Sequence, residues 1–134
     1  MSKFAQKYNM GFISSSVSQY VTLGLNTVAK IHYLHLVTDS YARHMALDEF
    51  YKEFPDDYLD SVAESALAND ITLSYVEVDH MSGDPLELLE RLYDSGSSLS
   101  DLLSDKREFR GLLNAVDDSL EFIKLIIYKI KRFK

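Results

Sequence analysis

Apolar residues recur at helical spacing along most of this chain, and this periodicity is the feature that most constrains its fold. The clearest case is residues 106–132, where one face carries an apolar side chain every three or four positions. Only two prolines and five glycines interrupt the 134 residues. The pattern predicts an all-α protein, and the length predicts a single domain over residues 1–134.

The same spacing predicts a first helix over roughly residues 15–37. Ser14, Ser15 and Ser16 are the expected N-cap residues, because a serine hydroxyl accepts a hydrogen bond from the free N–H groups of a first helical turn. Residues 1–13 are mixed in composition and are expected to form an arm before this helix.

A second helix is predicted from about Ser40 to Ala68, and Pro55 interrupts it. A proline removes one backbone hydrogen bond and usually kinks a helix. The alternative is two helices, with Pro55 at the start of the second and the acids Asp56 and Asp57 in its first turn. We favour one kinked helix.

Residues 71–78 alternate apolar and polar side chains as a strand would, but a single strand has no partner in a helical chain. We therefore predict an extended crossover over residues 69–84. Pro85 starts a third helix that ends near Ser95, and residues 99–104 form a further turn or short helix. The predicted fold is a four-helix bundle with one long crossover between its second and third helices.

Composition narrows the function classes. The chain has no cysteine, so any metal must be held by His, Asp, Glu or Tyr. Its net charge of −7 argues against attraction to nucleic acid or to anionic lipid. No segment approaches the roughly 20 apolar residues that span a bilayer, and the first residues lack the apolar core of a secretory signal. We expect a soluble cytoplasmic protein.

One stretch carries most of the residues that could bind a metal. Three of the four histidines lie within thirteen residues, an acid follows the last of them by one helical turn, and a second acidic pair comes later. Side chains four residues apart share a helix face, and imidazole together with carboxylate suits iron, zinc or manganese. The candidate metal ligands are His32, His35, His44, Asp48, Asp60 and Glu64.

The string His44-Met-Ala-Leu-Asp48, followed by Asp60-Ser-Val-Ala-Glu64, resembles the signature of the Dps miniferritins, a ferritin-like family. The wider stretch from His32 to Tyr51 is similar to small ferritin-like proteins of tailed bacteriophages. The resemblance covers residues 31–67. It implies a ferritin-like bundle, a site for Fe(II) oxidation, and a homo-oligomer of two or more chains in the host cytoplasm.

The sequence departs from the Dps pattern in two places. Tyr33 follows His32, where the family has a tryptophan. The interval from His44 to Asp60 is sixteen residues, one more than in the family, and one extra residue swings Asp60 by about 100° around a regular helix. A π-bulge near Pro55 would absorb that residue. A regular helix there would argue against the acidic pair as ligands.

Distance along the second helix limits how these ligands combine. Sixteen helical residues span about 24 Å, so His44 and Asp60 cannot bind one metal within a chain. The short 36–39 connection brings His35 near His44 instead, and the resemblance implies that a neighbouring chain supplies Asp60 and Glu64. Iron is the expected metal, ahead of zinc and manganese.

Each of these features also has a purely structural explanation. A core-facing histidine such as His35 is often bonded to a carboxylate, and acids such as Asp56 and Asp60 are favoured by the helix dipole after a proline. Two hypotheses follow. The first is a metal-binding bundle that oxidises or sequesters iron at an inter-subunit site. The second is a non-catalytic, phage-encoded structural or protein-interaction bundle.

Overall fold

The computed structural model describes residues 3–132, with side-chain surroundings from Met10 onward, and all regular structure in this range is helical. A π-helical segment (Phe54–Leu59) joins α2 to α3 in one continuous second helix, and a 3-10 turn (Arg107–Phe109) precedes α5. The prediction of an all-α protein with four long helices is confirmed. The elements are α1 (Lys3–Val37), α2 (Tyr41–Glu53), α3 (Asp60–Ala68), α4 (Pro85–Leu103) and α5 (Arg110–Arg132).

α1 begins much earlier than predicted. It starts at Lys3, so the predicted arm is wrong for the described residues, while Met1 and Ser2 lie outside them. The apolar stripe explains the difference, because Ile13 lies on the same buried stripe as Val17 and Tyr20. The serines at positions 14–16 are therefore interior helical residues and not N-caps.

α4 is also longer than predicted. Pro85 opens it as expected, and the Asp84 side chain caps it by accepting a hydrogen bond from the Leu86 N–H at 3.1 Å. The predicted break at Ser95-Gly-Ser-Ser does not occur, and the helix continues to Leu103. Gly96 is buried there against α5, and the apolar stripe resumes at the next turn.

The second helix contains a π-helical turn, Phe54–Leu59. Pro55 lies in this turn, flanked by the buried Phe54 and, at its other end, the buried Leu59. After the turn, Val62 and Ala66 of α3 face the core. The hypothesis of a π-bulge near Pro55 is confirmed, and it keeps both halves of the helix on one apolar face.

Adjacent helices of the bundle run antiparallel. A Cβ added at Gly24 of α1 would lie 2.9 Å from the Leu59 side chain, which shows how closely α1 packs on the second helix. On the opposite side the Lys129 ammonium of α5 donates to Glu49 of α2 at 2.6 Å. These contacts leave α1 and α5 on one diagonal of the bundle, with α2–α3 and α4 on the other.

Residues 69–84 form neither helix nor strand. The segment lies along α1, where Ser18 Oγ accepts from the Ser74 N–H at 3.0 Å and Thr22 Oγ1 accepts from the Val76 N–H at 3.2 Å. Two hydroxyls one helical turn apart thus satisfy backbone donors that an unpaired extended segment would leave free.

The interior between the helices is apolar and filled. At its centre the Tyr20 hydroxyl meets Ser119 Oγ at 2.7 Å, and Ser119 in turn donates to the Val116 carbonyl. Among the side chains that the structure describes, no carboxylate is buried, and His35 is the single buried imidazole. The candidate chemistry therefore lies at one end of the bundle and not along its axis.

None of the helices in the described range is both long and apolar enough to cross a membrane.

Candidate functional site

A tight turn between α1 and α2 positions the histidines. The Ser40 side chain caps α2 by accepting from the Arg43 N–H at 3.2 Å, and the Ser40 N–H donates to Thr38 Oγ1 at 3.3 Å. Because only three residues separate the helices, the last turn of α1 packs directly on the first turns of α2. The predicted proximity of His35 and His44 follows from this turn.

The aromatic rings at this end of the hairpin stack on one another. The rings of His35 and His44 lie 3.9 Å apart, and that of His32 stacks on Tyr51 at 4.0 Å with an angle of 8°. Tyr51 also lies 4.9 Å from the His35 ring. We refer to His32, His35, His44 and Asp48 as the histidine cluster. The structure brings these four predicted ligands together in one chain.

His44 is held by a backbone hydrogen bond. Its Nδ1 lies 2.9 Å from the His35 carbonyl oxygen, and since a carbonyl only accepts, Nδ1 carries the proton. In the tautomer with the proton on Nδ1, Nε2 is unprotonated. A histidine that binds a metal usually donates its other N–H in this way, which fixes both tautomer and ring orientation.

His35 is the unusual residue of the cluster. The residue is 6% exposed, and neither ring nitrogen has a hydrogen-bond partner. Asp48 Oδ1 lies 3.4 Å from His35 Nε2, and no hydrogen bond joins the two atoms. Burial, followed by the neighbouring His44, lowers the pKa of His35, so the ring is neutral at physiological pH.

Asp48 has a cationic neighbour that the sequence analysis missed. The Lys52 ammonium lies 3.1 Å from Asp48 Oδ1, one helical turn on. The hydrogen bond from Lys52 lowers the pKa of Asp48, with a smaller contribution from a hydrogen bond that the Tyr51 hydroxyl donates. The pKa of Lys52 is raised by the same contact. The spacing of an acid and a lysine at i, i+4 was the signal that could have revealed this pair.

Asp60 and Glu64 do not join the histidine cluster. Both are exposed on α3, beyond the π-helical turn. Within the range the structure describes, no group of three or more His, Asp or Glu side chains is arranged to hold a metal ion. A single chain therefore presents a partial set of ligands, and the two acids stay candidates that one chain does not test.

Comparison with known proteins places the chain in a family. A family of unknown function, DUF5856, matches residues 35–130. The chain belongs to DUF5856. The matched range includes His35, His44 and Asp48, together with the acidic pair of α3, and excludes His32. Membership leaves the function open, because the family itself has none assigned.

A relative of this DUF5856 protein occurs in a bacteriophage. The chain is 30% identical over 88 residues to an uncharacterized 14.6 kDa protein from the mobD-ri intergenic region of Enterobacteria phage T4, which covers 63% of the chain and 68% of the relative. This match associates the chain with phage proteins, as the sequence analysis expected. No solved structure matches the chain, and neither comparison supplies evidence for the Dps or ferritin family.

Proposed function

We propose that this chain is a small Dps-like, ferritin-like bundle, with a long crossover between its second and third helices, that binds a divalent metal at a site shared between two copies. The observation that carries the proposal is His35, a buried imidazole whose two nitrogens have no hydrogen-bond partner. A buried polar group without a partner costs about 1–3 kcal/mol. A ligand that bonds to Nε2 would recover that cost.

The position of Asp48 supports a metal as this ligand. In a tetrahedral site with bonds of about 2.1 Å, two ligand atoms lie about 3.4 Å apart. His35 Nε2 and Asp48 Oδ1 have this separation without a hydrogen bond between them. His44 adds a third donor nearby, a second imidazole whose ring is oriented by its bond to the His35 carbonyl.

A second copy would complete the ligand set. The π-helical turn absorbs one residue, so Asp60 returns to within about 60° of His44 around the helix, compared with about 160° in a regular one. Asp60 and Glu64 are exposed and accessible to a neighbouring chain. Carboxylates from that chain would then join the histidine cluster. This arrangement supports a dimer or larger homo-oligomer.

Iron is the metal that we propose, with zinc or manganese as less favoured occupants. If iron binds, it would supply Fe(II) oxidation in which dioxygen or peroxide accepts the electrons, and the carboxylate ligands would favour the ferric product. In this scheme His35 and His44 hold the ion, Asp48 and the two acids of the second copy neutralise it, and Tyr51 keeps the His32 ring in place.

Metal analysis of the purified full-length protein tests the proposal. We expect about one metal ion per chain after exposure to Fe(II) without oxygen, or to Zn(II), and loss of that ion in His35→Ala and His44→Ala. His80→Ala is the matched control, because His80 is an exposed histidine in the 69–84 connection. A wild-type protein that is folded and stays metal-free would refute the metal-binding function.

The second candidate function is a non-catalytic structural or protein-interaction bundle. Lys52 favours it, because its ammonium already neutralises Asp48 within the chain. The ring stacking of His35 on His44 favours it as well, since stacked rings stabilise the hairpin without any ligand. Metal-free protein whose His44→Ala variant keeps its fold would rule out the metal-binding function and favour this alternative.

A further inference from the structure

Lys52 binds the Asp48 carboxylate oxygen to which a metal ion would have to bind. Its ammonium lies 3.1 Å from Asp48 Oδ1, the same atom that lies 3.4 Å from His35 Nε2. The Lys52 side chain is 61% exposed, whereas that of Asp48 is 24% exposed. The lysine is therefore free to swing away on its flexible stem, while the carboxylate stays in place beside the histidine.

The second helix offers Lys52 another acid when two chains pair. Two antiparallel helices run in opposite directions, so a step of four residues toward the C-terminus of one helix faces a step of four residues toward the N-terminus of the other. The register that sets Asp48 opposite Asp60 of a second copy therefore sets Lys52 opposite Asp56 of that copy. Asp56 is exposed in the π-helical turn. In this register Lys52 therefore meets an acid of the second copy, while the rest of the face is acidic, with Asp48, Asp56, Asp60 and Glu64.

At the two ends of the paired segment, the same register brings apolar side chains together. Tyr41 and Leu67 are large apolar residues that are 77% and 55% exposed, and they lie opposite each other in this pair. His44 lies opposite Glu64. Where Asp48 meets Asp60, two carboxylates come together and repel each other unless a cation lies between them.

We propose that Lys52 is a displaceable cation: it neutralises Asp48 in the separate chain and moves to Asp56 of a second copy when a divalent metal takes its place. This inference rests on the proposed function and adds to it a coupling between metal binding and pairing of chains. Metal favours pairing because it replaces Lys52 on Asp48, and pairing favours metal because Asp56 attracts Lys52 away.

Sedimentation equilibrium of the full chain with and without Zn(II) tests this coupling. We expect Asp56→Asn to weaken zinc-dependent pairing by about five- to tenfold, because a two-fold pair contains the contact twice. Asp57→Asn is the matched control, since it removes the neighbouring exposed carboxylate, and it should change pairing by less than about twofold. In a Lys52→Met background, Asp56→Asn should have no further effect, and the separate chain should bind Zn(II) several-fold more tightly than wild type.

The outcomes separate this inference from the function beneath it. Wild-type protein that binds no Zn(II) refutes both. Wild-type protein that binds Zn(II) and pairs, but in which Asp56→Asn and Asp57→Asn behave alike, refutes the role of Lys52 alone. An Asp56→Asn effect that persists in the Lys52→Met background has the same consequence.

Discussion

At the scale of single residues, His35 shows how a side chain can be predicted by type but not by environment. The sequence placed it on the core-facing stripe of α1, and it is buried there. Only the structure shows that both of its nitrogens lack a partner while Asp48 lies 3.4 Å away. These nitrogens lack partners because of how α1 packs on α2, and the spacing of residues along the sequence does not predict that packing.

His35 should also make the stability of the metal-free protein depend on pH. Its pKa is lowered in the folded state, chiefly by burial, so the unfolded chain binds the proton more tightly. Unfolding therefore takes up a proton as pH falls below the ordinary histidine pKa of about 6.5, and the free energy of unfolding decreases. Urea denaturation at pH 7.5 and pH 5.5 should show this loss.

His35→Phe should reduce that loss. Phenylalanine keeps an aromatic ring between His44 and Tyr51 and removes both unpartnered nitrogens, so we expect about 1 kcal/mol of added stability at pH 7.5. His80→Phe should keep the wild-type pH dependence, because His80 is exposed. Equal pH dependence in wild type and His35→Phe would show that His35 is not the group responsible.

At the scale of elements, the second helix shows how one residue more than the Dps spacing is accommodated. A proline and an extra residue between His44 and Asp60 pointed to a π-bulge, and the π-helical segment Phe54–Leu59 is present. Such a segment accommodates the residue without turning α3 away from the core, where Val62 and Ala66 are buried. The hypothesis came from comparing this interval with the Dps pattern, and Pro55 marked where such a turn could lie.

Deletion of one residue tests this interpretation. Removing the exposed Asp57 should convert the π-helical turn to a regular one, with a loss of at most about 3 kcal/mol, the cost of Pro55 in a regular helix. Removing the exposed Asp94 from α4 should turn Leu99 and Leu103 by about 100° out of the core and cost more.

Chemical denaturation followed by circular dichroism measures both losses. Cooperative unfolding should survive the Asp57 deletion and be lost or strongly weakened in the Asp94 deletion. If the two deletions destabilise the protein equally, the π-helical turn does not hold a spare residue.

At the scale of the whole molecule, the packed interior determines where chemistry is available. The centre of the bundle is closed by Tyr20, Ser119 and Leu120 around the buried Gly96. Burial raises the pKa of Tyr20 well above its usual range, so its hydroxyl stays neutral and bonds to Ser119. No carboxylate is buried among the described residues, and the candidate site lies at the end of the α1–α2 hairpin.

Gly96→Ala tests how tightly this centre is packed. A Cβ there would lie 2.6 Å from Leu120 and 2.7 Å from Tyr20, so neighbours must move, at a cost of about 1–3 kcal/mol in the free energy of unfolding. Gly111→Ala is the control, since a Cβ at that exposed helical position meets nothing within 4 Å. We expect it to be neutral or to add up to about 1 kcal/mol. Thermal unfolding that ranks the two variants the other way would contradict the packing.

The sequence by itself determined the helical class, the start of α4 at Pro85 and the closeness of His35 to His44, and it offered the π-helical turn as a hypothesis. These features depend on side-chain period, proline geometry and loop length, which act over a few residues. The true extent of α1 and α4, the bond of Lys52 to Asp48 and the unpartnered nitrogens of His35 were decided only by the tertiary structure. Each of them depends on packing between helices, where burial overrides local preference and distance along the chain gives no information.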